Sequence, residues 1–123
     1  MAAPLNILER RVGIVTIVQV AGRLMLDDGG DRILQDRVAA LVAAGRLYLL
    51  LDLSRVTSID SGGVGALASM HIHSVRRGGQ FKLLSPSARV ERVLRTTHLL
   101  QAFDVFHDER AAVESFPSLT TRV

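Results

Sequence analysis

The sequence predicts an α/β protein: a mixed, mainly parallel sheet with helices packed on it, in the order β-β-α-β-α-β-α-β-α. Three observations predict it. Apolar or β-branched runs of strand length occur at Ile14 to Val20, Leu47 to Leu53 and Phe81 to Leu84. Between them lie two segments whose apolar residues recur at helical spacing, Asp31 to Ala44 and Val64 to Val75. Glycines at Gly45 and Gly78-Gly79 close those two segments. Repeated strand–helix alternation implies right-handed crossovers and parallel strands, with sites at the strands' C-terminal ends.

The elements follow in order. Leu5 to Arg11 fits a first strand, turning near Arg11 to Gly13 into the β-branched run Ile14–Val20 as a hairpin. Ala21 to Gly30 reads as a loop, in which Asp27-Asp28-Gly29-Gly30 is turn chemistry. The helix Asp31–Ala44 places Leu34, Val38, Leu41 and Val42 on one face, with Gly45 at its end. Leu47–Leu53 is the central, fully buried strand, and Asp52 interrupts its apolar run near the end. The helix after it puts Val64, Leu67, Ala68, His71 and Val75 on one face. After Phe81–Leu84, Ser85-Pro86 is expected to cap a helix whose face is Val90, Val93, Leu94 and Thr97. Phe103 to His107 alternates like an edge strand. Asp108 can cap a last helix carrying Ala112, Val113 and Phe116. The tail 117–123 is expected to fray.

Composition bounds the function. At 123 residues, 48% hydrophobic and 22% charged, the chain fits one folded domain over 1–123. Only five aromatics are present, so the core must be aliphatic. The lack of cysteine excludes disulfides and thiolate metal sites. No apolar run approaches the roughly 20 residues of a membrane span. The N-terminus lacks signal-peptide character, so a cytoplasmic protein without membrane insertion is expected. The net charge of +3 is dispersed, with no basic cluster for nucleic acid. No cofactor or metal site is expected.

The stretch Ser58-Ile59-Asp60-Ser61-Gly62-Gly63-Val64-Gly65 joins the central strand to its helix. Asp and Ser suit a helix cap there, and capping alone would account for them. The glycines keep the first turn bare, open to a partner's backbone or a phosphate. A phosphate on Ser61 would face free N–H donors and the positive end of the helix dipole. Asp60-Ser61-Gly62-Gly63 is locally like the nucleophile segment of chymotrypsin-like proteases, but those are all-β. No G-x-S-x-G elbow or Gly-Lys-Ser/Thr ending is present. His71 falls on the apolar face and His73 opposite, so they cannot form an i, i+4 metal pair.

Together these pieces resemble a STAS domain. The resemblance rests on Leu51-Asp52-Leu53-Ser54, Val56 to Ile59, and Asp60-Ser61-x-Gly-Val-Gly. It extends to Gly22-Arg23-Leu24, Arg77-Gly78-Gly79 and Leu83-Leu84-Ser85-Pro86, covering about Ile14 to Phe116. The resemblance implies an anti-sigma factor antagonist, a regulatory binding protein and not an enzyme. Its partner would be an anti-sigma factor with serine kinase activity that phosphorylates the serine matching Ser61; a phosphatase would reverse the modification. The family's Gly-Glu-Leu-Asp pattern reads Gly22-Arg23-Leu24-Met25 here, leaving Asp27 and Asp28 as the nearest loop acids. Gly62 stands where Ser or Thr is frequent.

Helical geometry places Ser61, Gly65, Ser69, Ile72 and Arg76 along one flank, a candidate docking stripe with Ile72 as apolar anchor. Asp27, Asp28, Asp60 and Gly62 complete the expected partner surface. Within the family the alternative is a scaffold subunit of a transporter or stressosome-like complex. A serine hydrolase acting through Ser61 is the remote one, for want of a triad.

Overall fold

Strand β1 (Leu5–Val12) runs antiparallel to β2 (Val15–Leu24) through a tight turn at Gly13-Ile14. Gly13 supplies the left-handed φ of +61° that this turn needs. From β2 onward every pairing in the sheet is parallel, in the spatial order β1-β2-β3-β4-β5. The other strands are β3 (Tyr48–Ile59), β4 (Gln80–Leu84) and β5 (Asp104–Phe106). The helices are α1 (Gly30–Ala43), α2 (Ser61–Arg76), α3 (Ala88–Thr96) and α4 (Glu109–Glu114). A 3-10 turn, Leu100–Ala102, precedes β5. This computed structural model describes residues 4–117, so the expectation for 118–123 lies outside the described residues.

Strand β3 is buried on both faces over Leu49–Leu51, which is why its first half reads as an apolar run broken only by Asp52. Leu49, Leu51 and Leu53 join Leu34, Val38 and Val42 of α1, Val64, Leu67 and Met70 of α2, and Val90 and Leu94 of α3. Leu50 points the other way, into a smaller cluster with Val15, Ile17, Leu84 and, from the last helix, Ala112 with nearby Phe116. The aliphatic core is as the composition requires.

Several expectations need correction. Strand β3 does not end at Leu53 but continues to Ile59, and β2 continues to Leu24, where a loop was expected. Val56 and Ile59 stay buried while Ser54, Arg55 and Thr57 are exposed, so the strand persists through a polar stretch. Two irregularities in the pairing, between Gln19 and Ala21 and between Gly22 and Arg23, absorb the change.

The buried face of α2 is also rotated. Val64 and Leu67 belong to it, but Met70 and Ser74 continue it, and Val75 is 52% exposed. The helix packs on both α1 and β4, which turns its face away from the Val75 flank. His71 is half-buried between the Phe81 and Phe103 rings, 5.9 and 5.2 Å between centroids. The cap of α3 is Ser87, not Ser85: its Oγ donates to the Val56 carbonyl at 2.9 Å and accepts from Val90 N–H. Ser85 instead has a φ of +48°, away from the extended backbone that Ser87 adopts as the cap. Thr97 lies exposed at the end of α3. Asp108 caps α4 as expected, accepting from Ala111 N–H at 2.9 Å.

Leu51 is fully buried in the larger cluster. Leu51→Ala should cost about 2–5 kcal/mol in denaturant unfolding. A loss below about half a kcal/mol, well under that range, would contradict its place in the core.

Candidate functional site

Strands β2 and β3 end side by side, Leu24 opposite Ile59, so the segments leaving them emerge at one edge of the sheet. After β3, Asp60 takes an extended conformation and caps α2. Its Oδ1 accepts from Gly63 N–H at 2.9 Å. The same carboxylate accepts from the Leu26 N–H, at 3.1 and 3.3 Å to its two oxygens. These bonds, Gly63 first and then Leu26 and Gly62, hold the Asp60 carboxyl below its ordinary pKa.

Ser61 is the first helical residue and is exposed, at the strand-to-helix junction expected for it. The glycines after it have a different use from the one expected. A Cβ on Gly63 would lie 2.2 Å from the Leu24 carbonyl, and one on Gly62 would lie 2.7 Å from Leu26 Cβ. They admit the chain's own β2–α1 turn, packed against the start of α2, rather than keeping that turn bare. The first-turn N–H of Gly63 is likewise not free, because Asp60 occupies it. Among the described residues, a Cβ on Gly65 would meet no atom within 4 Å.

Of the loop acids, Asp28 is directed to Arg23. Asp28 Oδ2 accepts from Arg23 Nε at 2.8 Å, and its Oδ1 accepts from Gly30 N–H at 3.1 Å. The Arg23 bond is the main cause of an Asp28 pKa below the ordinary carboxylate value. Arg23 is raised in turn, first by that bond, with the nearby charges of Asp27 and Asp60 adding to it. Asp27 is exposed. Met25, at the position where the family pattern carries an acid, is half-buried and accepts from Asp31 N–H through its carbonyl.

All five residues of the candidate stripe, Ser61, Gly65, Ser69, Ile72 and Arg76, are exposed, and Gly62 is half-buried. Ile72 is 51% exposed. Beside the head of the stripe lies Leu26, 65% exposed, which the sequence reading passed over. A lone leucine in a turn carries no periodicity; its one signal was an apolar residue directly before Asp-Asp-Gly-Gly. Arg23 is visible in the sequence as part of the strand end and of the departure Gly22-Arg23-Leu24-Met25, but nothing there marks its pairing with Asp28. Ser69 borders a shallow groove between α1 and α2, with Gln35, Ala39 and His73.

The two histidines of α2 lie away from the serine. His71, packed against two phenylalanines, is ten residues or about 15 Å of helix rise from Ser61. Among the described residues, no group of three or more His, Cys, Asp or Glu could hold a metal ion. No described helix is long and apolar enough to cross a membrane.

The Asp60 cap has a calculable sign. Asp60→Ala should lower stability by about 0.5–2 kcal/mol. Asp60→Asn, still a capping residue, should lose less. The folded carboxyl sits below its unfolded value of about 3.9, so its ionic contribution is whole above that pH. It is lost as pH falls through the depressed folded value. The stability gap between the native protein and Asp60→Asn should therefore close in acid unfolding titrations; a gap constant with pH would exclude this role.

The STAS domain family model matches residues 8–112 of the chain. A Thermotoga neapolitana protein, provisionally described as an anti-sigma factor antagonist, is 39% identical over 66 residues, 54% of this chain and 58% of that protein. The chain thus spans less than two thirds of the length of the curated relatives it matches. The crystal structure of a Thermotoga maritima protein with the same provisional description superposes with a TM-score of 0.82 at 27% identity, over 89% of this chain and 93% of that one. The anti-sigma factor antagonist SpoIIAA in its unphosphorylated form gives a TM-score of 0.74 at 19% identity, over 89% of this chain and 95% of that one. At that identity the likeness is one of fold. With the family model covering most of its length and the sheet and helices in the matching order, the chain belongs to the STAS domain family.

Proposed function

We propose that this protein is an anti-sigma factor antagonist that docks on an anti-sigma factor through the outer flank of α2, and that phosphorylation of Ser61 turns docking off. The observation that carries the reading is the exposed Ser61 hydroxyl at the head of α2, beside exposed Leu26 and in line with exposed Ile72. The names of its relatives supply the class of partner.

The docking surface comprises Leu26, Ser61, Gly62, Gly65, Ser69, Ile72 and Arg76, with Asp27, Asp28 and Asp60 as its acidic rim. Leu26 and Ile72 are its apolar anchors, and bare Gly65 between them allows close backbone approach. The partner acts as a serine kinase. Phosphoryl transfer from ATP forms the Ser61 Oγ–P bond, breaks the bond to the β-phosphate oxygen, and releases ADP; the hydroxyl proton passes to a base of the kinase. A phosphatase hydrolyses the ester and restores docking.

The modification adds about −1.5 to −2 charges at neutral pH to a surface that a partner must desolvate. It also stands beside Asp60, a like charge. Docking is lost on both counts, while the fold is kept because Ser61 is exposed and lies at the positive end of the α2 dipole.

Incubation with the anti-sigma partner and ATP, read by mass spectrometry, tests the acceptor. Ser61→Ala should bind the partner and stay unlabelled; labelling at unchanged stoichiometry would move the acceptor, with exposed Thr57 and half-buried Ser58 next. Ser61→Asp should bind more weakly than the native protein. Leu26→Asp and Ile72→Asp should leave the fold intact and weaken binding about tenfold or more, the loss of about 1.4 kcal/mol expected at an interface anchor. Unchanged affinity in both would place the docking surface elsewhere.

A further inference from the structure

We propose that Arg23 is the receiver of the Ser61 phosphate: on modification its guanidinium leaves Asp28 and pairs with the phosphoserine. The inference rests on the Ser61 switch proposed above and concerns how this particular chain accommodates the charge.

Arg23 stands at the end of β2, paired with Ser58 of β3, three residues before Ser61. Its ion pair with Asp28 uses Nε and is open to solvent, with side chains 49% and 28% exposed. The remaining N–H groups of the guanidinium are suited to a second, bidentate acceptor. The turn that carries Asp28 is joined to the head of α2, because Leu26 N–H bonds to Asp60 and Gly62 packs against Leu26. Asp60, adjacent to Ser61, is near enough for its charge to act on Arg23.

The usual receiver of a phosphate at a helix start is the set of free first-turn N–H groups. Here Asp60 already holds the Gly63 N–H. A phosphate on Ser61 would therefore compete with the cap and meet the charge of adjacent Asp60. Arg23 is the cation paired with Asp28 in the turn that is joined to this helix start. An exposed Arg–carboxylate pair is weakly held, whereas phosphoserine carries about −1.5 to −2 charges and three acceptor oxygens. The exchange is favoured, and Asp28 keeps its bond from Gly30. Modification then shifts a positive charge across the docking face as well as adding a negative one.

The test places phosphoserine at residue 61 of the full chain by genetic encoding and follows the phosphate by phosphorus NMR against pH. With Arg23 present, the phosphate should titrate about one pH unit lower than in Arg23→Gln, the low end of what an adjacent arginine does to an acid. Arg23→Lys should recover part of the difference, and Asp28→Asn, which removes the competing carboxylate, should lower the midpoint further. Equal midpoints in the native and Arg23→Gln proteins would overturn the inference. Kinase labelling of unmodified protein is read separately by mass spectrometry. Its failure would sink the switch, while the NMR titration alone decides whether Arg23 reaches the phosphate.

Discussion

The Asp60 carboxylate ties together two backbone segments 34 residues apart, the Leu26 turn after β2 and the first turn of α2 after β3. Both segments begin with N–H groups that no helix or ladder satisfies, and one ionised side chain serves both. The arrangement requires that the two segments nearly touch. Glycine at 62 and 63 makes that possible, since a side chain at either would collide with Leu26 or with the Leu24 carbonyl. The exposure of Ser61 follows: with the turn packed against Gly62 and Gly63, the first residue of α2 is left facing solvent. Without the Asp60 bonds, Leu26 would lose the fixed position that makes it part of a surface.

The buried and exposed sides of α2 are cleanly separated. Val64, Leu67 and Met70 enter the large cluster, while Ser61, Gly65, Ser69 and Ile72 face outward. The opposite side of the sheet has no share in this surface. There α4 closes a smaller cluster, pinned by Lys82, the chain's one lysine. Its Nζ donates to the Ser115 carbonyl and Oγ, each at 3.0 Å, and lies 4.6 Å from the centre of the Phe116 ring. A cation at a helix C-terminus over an aromatic face is well placed on both grounds. The second face is thus occupied by the chain's own last helix.

The order of elements was legible because strand and helix periods alternate clearly, and Leu47–Leu53 is long enough and apolar enough to need two covered faces. The position of Ser61 was legible for the same reason: it falls between the two periods. Periodicity could not say where a strand ends once its exposed residues outnumber its buried ones. Val56 and Ile59 are isolated in sequence but continuous in the sheet. It also fixed the face of α2 only to within a rotation. Val75 fits the apolar pattern, yet α1 and β4 select Met70 and Ser74 instead. Leu26 was missed because its importance lies in contacts with the start of α2, not in any pattern of its own, and the partner of Arg23 was illegible for the same reason. The glycines were legible as a requirement for close approach, but the approaching group is internal.

The departure from the family pattern at Arg23 and Met25 changes the electrostatics of the site without removing its acids. Asp27 and Asp28 keep negative charge in the turn, but Asp28 is directed to Arg23, and Asp60 is committed to backbone N–H groups. The head of α2 therefore presents one cation held by a carboxylate, within a rim of acids. That rim suits a partner with basic groups around an apolar recess for Leu26 and Ile72. On the proposed reading, a charge added at Ser61 acts on such a partner without any helix having to move, because Ser61, Leu26 and Ile72 are exposed and the core lies beneath them on the sheet-facing side of α2. The constraint that shapes the site is thus the crowding of Gly62 and Gly63. It places an apolar anchor, an acidic rim, an arginine and a hydroxyl around one helix start.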